Sequence, residues 1–250
     1  MGQNVRRLTV VSRVFAWDDH VMLLFTAPPR GPLFTQRGVK RMHVQVVYPY
    51  IGQPVMLLAD GVAEQRKEKN WCAITPIGHT SSHRHSDYLF ARSVDPHEIL
   101  RCSWRGTCHM ETSSHQPAFF GSLMAQHGAH DLHLGTNAVR VSRQHYGAIL
   151  HAVIGHGPGE HKGPRRYVNI PYLFEALPPY RIVAVRQAPL ELASLPSKKG
   201  HDFVFTSALV YLDGLLVVSY NCNDETSSFS VHTAEDVFGN MTHLPTYSVS

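Results

Sequence analysis

No run of apolar residues in this chain is long enough to cross a bilayer as a helix. The longest, 21–25 and 215–218, fall far short of the roughly 20 residues required. Charge of one sign is also scarce. With 23 basic and 19 acidic side chains the formal net charge is only +4, and the basic residues fall in short scattered groups such as Arg6-Arg7, Lys40-Arg41 and Arg165-Arg166. That distribution suits local anion contacts and excludes the long basic footprint of a nucleic-acid-binding protein. Ser12, Arg13, Asp18 and Asp19 interrupt any apolar stretch after Arg6-Arg7, so no export signal is legible and a cytoplasmic location is the default expectation. Cysteine is sparse too. Cys72, Cys102, Cys108 and Cys222 form no CxxC pair, which predicts reduced thiols and no disulfide framework in a chain of this size. Asn240-Met241-Thr242 is a formal glycosylation acceptor of a kind common by chance.

What is present is strand. Hydrophobic residues make up 43% of the 250 positions, enough for a full core, and a single domain over 1–250 is expected. Three segments each show two apolar runs around a turn: 13–26 around Asp18-Asp19, 138–154 around Arg143-Gln144, and 205–220 around Asp213-Gly214. A looser copy occupies 71–100, where a His- and Ser-rich turn separates "WCAITPI" from "DYLFARSV". The turns recur at roughly 60 to 70 residues, and the further strand-like stretches "KRMHVQVVYPY", "YRIVAVRQAPL" and "SSFSVHTAEDVF" bring the count to about four strands per repeat. Helix is expected only at 117–127, 190–195 and one turn at 233–238. With 18 Gly and 16 Pro punctuating short strands, the fold class is all-β. Radial repetition of small antiparallel sheets makes it a β-propeller, with a β-sandwich as the competing arrangement.

Four polar clusters stand at comparable places in the repeats: Lys69-Asn70-Trp71, Gly135-Thr136-Asn137, Gly155-His156, and 220–224, which contains Tyr220 and Asp224. Each alone has a plain structural reading as a turn, a strand start or an Asx turn. In a propeller, the inner strands point their ends at a central funnel, where such clusters would meet. The histidines offer a separate possibility. His79, His83 and His85, then His127, His130 and His133, then His151, His156 and His161 have spacings compatible with a metal, but the first two groups fall in Ser- and Gly-rich loops where exposed histidine is the ordinary outcome.

Together, "EKNWCAITP", "HLGTNAVRV", "AVIGHGPGEHKGPRRYVNIPYLFEALPPYRIVAV" and "HDFVFTSALVYLDGLLVVSYNCNDETSSFSV" resemble the successive motifs of the β-mannoside phosphorylase superfamily, glycoside hydrolase family 130, and the related glycosyltransferase family 108. The resemblance runs from about Arg13 to Phe238. It implies a propeller that is five-bladed in the family, with about four blades visible here, and 1–12 as a truncated or divergent start. It also implies a funnel that binds a β-mannoside or other oligosaccharide beside inorganic phosphate or a sugar phosphate, with no metal or organic cofactor. On that resemblance Asn70, Trp71, Thr136, Tyr220 and Asp224 would bind the sugar. Arg41, Lys69, His156, Arg166 and Tyr167 would hold the phosphate, assisted by Lys162 and Arg165. The residue chemistry suits those roles, since guanidinium and ammonium groups bind phosphate, carboxylate and amide groups hold sugar hydroxyls, and aromatic rings cover a pyranose face.

The chain departs from the family at the catalytic acid. Where the family has Glu-Asp-Pro-Arg, this sequence reads Val10-Val11-Ser12-Arg13, so only the arginine remains and the catalytic residue is unassigned. Asp18 and Asp19 lie at the far turn of the hairpin and cannot replace it. Two functions are therefore carried forward: a glycoside phosphorylase or mannosyltransferase, and a non-catalytic carbohydrate-binding propeller that has lost its acid.

Overall fold

The structure is a computed structural model, and it describes residues 12–17, 19–27, 41–60, 70–75, 87–155, 166–195 and 203–245. Four sheets, antiparallel except for one short strand of the second, follow one another along the chain as the blades of a β-propeller. The first blade contains β1 (Ser12–Trp17), β2 (His20–Ala27), β3 (Arg41–Tyr48) and β4 (Val55–Met56), in that order. Alternation explains its two faces: Phe15 and Trp17 on β1 are buried with Met22 and Leu24 on β2, while Val14 and Ala16 face outward. The second blade has β5 (Leu58–Ala59), β6 (Cys72–Ile74), β7 (Tyr88–Ser93), β8 (His97–Cys102) and β9 (Thr107–Ser114), with β6 innermost and β5 added parallel to β9.

Helix α1 (Pro117–His127) links this blade to the third. Proline at its first turn and left-handed Gly128 at its end, φ +62°, mark its limits where the sequence places them. The third blade comprises β10 (Ala129–Leu134), β11 (Val139–Arg140), β12 (His145–Ile154), β13 (Arg166–Glu175) and β14 (Ile182–Arg186). Strands β10 and β11 both pair with β12 and together make its inner edge. The fourth blade has β15 (Val204–Leu212), β16 (Leu215–Cys222) and β17 (Thr226–Thr233). Its first hairpin closes at Asp213-Gly214, both with positive φ, the geometry that matches strand twist in a two-residue turn. After α2 (Ala234–Phe238), which begins with a capping box between Thr233 and Asp236, β18 (Met241–His243) returns to the outer edge of the third blade beside β14.

Apolar clusters fill the seams. Phe15, Trp17, Leu24, Trp71 and Phe90 join the first and second blades; Ile74, Ile99, Phe120, Tyr172 and Phe174 join the second and third; Ile149, Leu209, Leu216 and Val218 join the third and fourth. On the fourth blade the opposite face leaves Phe229 and Val231 exposed. The all-β propeller and its four blades are as expected, and so are the hairpins, α1 and the single turn of α2.

Two sequence expectations fail. Residues 190–195 form no helix, because Leu190 is held in an extended segment by its amide donating to the Asn169 carbonyl at 2.8 Å. The reduced-thiol expectation fails for one pair: Cys102 and Cys108 face each other across β8 and β9 as a disulfide, while Cys72 and Cys222 are free and buried. Six residues of sequence separation concealed a cross-strand register that sets the two side chains opposite. Among the described residues, no helix is long and apolar enough to cross a membrane.

Candidate functional site

The four innermost strands meet at a buried polar centre. Arg13, on the face of β1 that otherwise holds Phe15 and Trp17, is only 3% exposed. Its guanidinium donates to the carbonyls of Leu134 at 2.6 Å and Gly135 at 3.1 Å on the third blade, and to that of Trp71 at the entry to the second. Burial pushes its pKa down to about 10, so it remains a cation at neutral pH. One charged side chain therefore ties together three blades through backbone groups that would otherwise be buried without partners.

Behind Gly135 the fourth blade closes on the third. His151, in the middle of β12, is fully buried with Nε2 2.7 Å from Thr206 Oγ1 on β15. Its ring lies 4.1 Å from that of Phe205 and 5.5 Å from that of Tyr167. Burial, reinforced by the positive field of Arg13, holds the imidazole neutral, well below its ordinary pKa. A β-carbon on Gly135 would stand 2.6 Å from the Ile149 carbonyl and 2.7 Å from His151 Nε2, so only glycine allows this approach. Thr136 is also buried and its hydroxyl accepts from the Ile149 amide at 3.0 Å; Asn137 bonds the Leu209 backbone through both ends of its amide.

The sequence-derived candidates distribute unevenly around this centre. Asn70 is buried with φ +63° and lines a cavity described below. Trp71 is 0% exposed, its ring against Phe90, and its carbonyl accepts from Arg13 at the centre. Thr136 and Tyr167 adjoin the centre, Tyr167 through His151. Tyr220 is buried beside Val204 and Cys222. Asp224 is exposed in the turn between β16 and β17, where it and Asn223 both take positive φ. Asn223 is the residue that ties this turn down: its Oδ1 accepts from the Phe203 amide at 2.8 Å and its Nδ2 donates to the Leu195 carbonyl at 2.9 Å. Arg41 is buried at the start of β3 and Arg166 is exposed at the start of β13. Lys69, His156, Lys162 and Arg165 lie outside the described residues.

A cavity of about 520 Å³ opens between the second and third blades, beside α1. The β7–β8 turn, the entry to β6 and the length of β10 surround it. Sequence reasoning found Asn70 there but missed Arg92 and Asp131, which carry no motif. It also named His151 only as one of a group with metal-like spacing, although a histidine inside an unbroken apolar strand was itself a signal of a buried polar contact. Among the described residues no group of three or more potential metal ligands comes together, and His133 instead pairs with Asp131 at 2.8 Å.

Comparison with solved structures finds the same propeller fold in other proteins. A glycosyl hydrolase from Bacteroides ovatus superposes with a TM-score of 0.62 at 14% identity, over 90% of this chain and 64% of that one. A structure from the glycoside hydrolase family 130 mannoside phosphorylases, a family containing hydrolases that target β-1,2 mannosidic linkages in Candida mannan, gives 0.55 at 12%, over 90% and 64%. The β-1,2-mannobiose phosphorylase from Listeria innocua gives 0.57 at 11%, over 91% and 58%. The chain thus has the propeller fold of these glycoside hydrolases and phosphorylases, and spans less than two thirds of the length of each of the three. No family model and no curated protein matches the sequence.

Proposed function

We propose that this protein is a carbohydrate-active propeller acting on β-mannosides, with inorganic phosphate or mannose 1-phosphate as the second substrate. The observation that carries the reading is the shared fold over nine tenths of the chain, joined to a polar cavity where Asn70 sits. Asn70 and Asp224 are the sugar-binding candidates on this reading, with Lys69, His156, Arg166 and Tyr167 on the phosphate side. Thr136, Trp71 and Tyr220 are further sugar-binding candidates on the same reading, and Arg41 is the remaining cationic candidate. The deciding experiment incubates purified protein with mannose 1-phosphate and a panel of mannose acceptors, following phosphate release and oligosaccharide products. Turnover supports a transferase or phosphorylase; its absence refutes catalysis.

A second reading, a binding propeller without catalysis, is favoured by the axial centre. The Arg13 guanidinium is engaged by three carbonyls, and no aspartate or glutamate occurs among the buried polar residues described there. That set therefore offers no carboxylic acid to protonate a glycosidic oxygen. Binding of mannose or mannobiose without turnover would establish this alternative.

A further inference from the structure

We propose that the outer edge of β17 is a self-association surface: two copies of this chain join their fourth blades edge to edge, antiparallel, about a two-fold axis at Ser230. The three strands of each blade then form one continuous sheet. The proposal is independent of the reaction the propeller carries out.

A free strand edge presents a row of N–H and C=O groups that templates association, and proteins blunt such edges with short strands, proline or charge. Three of the blades do so by length. Their outermost strands, β4, β5 and β18, have two, two and three residues. The fourth blade ends instead on β17, eight residues long, and among the described residues no strand pairs with its outer side. Its sequence, Thr-Ser-Ser-Phe-Ser-Val-His-Thr, holds no proline, lysine, arginine, aspartate or glutamate. Its two apolar side chains are turned to water, Phe229 being 69% and Val231 53% exposed. An edge that is long, uncharged and partly apolar is one that association completes.

The order of residues along β17 selects a second copy as the partner. Residues directly opposite each other on antiparallel strands put their side chains on the same face. With the two-fold axis through Ser230, Phe229 of each copy stands opposite Val231 of the other, Ser228 opposite His232, and Ser227 opposite Thr233. Apolar side chains meet apolar ones and polar meet polar. An axis through Phe229 sets Val231 against Ser227, and an axis through Val231 sets Phe229 against Thr233. Of these three registers, only the one centred on Ser230 matches every pair. On the polar face Ser230 Oγ is already 2.7 Å from His232 Nε2, a row of hydrogen-bonding groups that the copy extends.

Area and charge set the strength of this contact. Two eight-residue strands paired in this way, with their phenylalanines and valines covered, remove on the order of 1,000 Å² from water, the lower end for a specific interface. The dimer is therefore a weak, concentration-dependent one. Acidic residues flank the strand, Asp224 and Glu225 before it and Glu235 and Asp236 after it, so association strengthens as salt screens them.

The test is sedimentation velocity of the full chain over a concentration series at low and high ionic strength. Val231→Lys puts a charge on the exposed edge without touching the core, and its melting temperature at low concentration checks that the blade still folds. Ser230→Cys and Ser228→Cys, oxidised in parallel, read the register, because only residue 230 stands opposite itself. The expected result is a dimer that tightens with salt, a dissociation constant at least tenfold higher in Val231→Lys, and a covalent dimer from Ser230→Cys that Ser228→Cys does not form. A parent chain that stays monomeric at every concentration overturns the proposal. If its β17 amides are nonetheless protected from hydrogen exchange, another segment of the same chain is the occupant of the edge. A dimer that Val231→Lys leaves unchanged, or equal cross-linking of both cysteine variants, overturns it as well.

Discussion

His151 Nε2 and Thr206 Oγ1 stand 2.7 Å apart, both side chains fully buried, where the third and fourth blades meet at the axis. With the ring in van der Waals reach of Phe205, this polar contact joins strands 55 residues apart, in a seam where Asn137 also bonds the Leu209 backbone. Thr206→Val keeps the shape of the side chain and removes the hydroxyl. It should lower stability by about 1–3 kcal/mol, because Nε2 then joins the already unpartnered Nδ1 of the same ring. Chemical denaturation of the two proteins at pH 7 measures the difference; equal midpoints would show that the contact contributes nothing.

Arg13 should be the more costly site. Replacing it by methionine leaves three buried carbonyls on two blades without a donor, each previously bonded by a cation, and the expected loss is about 3 kcal/mol or more. Lysine should recover only part, since one ammonium cannot reach three carbonyls that a planar guanidinium spans. If the arginine instead served the substrate, methionine would abolish binding and leave the melting temperature unchanged.

Gly135→Ala tests the close approach at the centre. The added carbon would meet a backbone carbonyl, His151 and Thr206 at 2.6 to 2.9 Å, none of them the end of a flexible chain. A loss of about 1–3 kcal/mol is expected from such overpacking, read as a fall in melting temperature.

Acid should destabilise the protein through His97. Its Nδ1 donates to the Tyr180 carbonyl at 2.9 Å, Nε2 is buried without a partner, and burial pushes its pKa down to about 4, against 6.5 for the free side chain. The unfolded chain therefore binds the proton first as pH falls. The group's contribution is complete above pH 6.5, declines from there to about pH 4 and is constant below, a loss on the order of 3 kcal/mol. His151 acts in the same direction. His97→Gln removes one of these titrations, so melting temperature should fall less steeply between pH 7 and pH 4.5 in the variant. Parallel pH profiles would disprove the assignment.

The turn at Asn223 and Asp224 separates two roles that share one motif. Asn223→Ala should cost about 1–3 kcal/mol, because its amide holds both Phe203 and Leu195. Asp224→Ala, at an exposed position, should cost little stability and abolish mannoside binding if the carboxylate holds a sugar hydroxyl. Thermal melts and mannobiose titrations of the two variants, run side by side, distinguish a structural turn from a binding turn.

Much of the fold was legible because its determinants are local. Asp213-Gly214 supplies the positive φ of a tight hairpin within two residues, and Pro117 and Gly128 bracket α1 within one turn of its ends. Alternation along β2 and β16 sets which side chains face a seam whatever the neighbouring blade is. The error at 190–195 is the converse case. Its composition allows a short helix, but the Leu190 amide finds a backbone partner in Asn169 of another strand, and that tertiary bond overrides the local preference.

The sequence by itself determined the strands, their turns and the polar residues at the inner-strand ends, through interactions that reach only a few positions along the chain. Only the tertiary structure decided which of those residues meet. Arg13 finds Gly135 across 122 residues and Trp71 across 58, and Asn70 joins Arg92 and Asp131 around one cavity, because the order of blades around an axis sets these neighbours. No spacing along one strand encodes a contact made between blades, so the partners of the buried cation and of the neutral histidine, and the cavity, were invisible until the sheets were assembled.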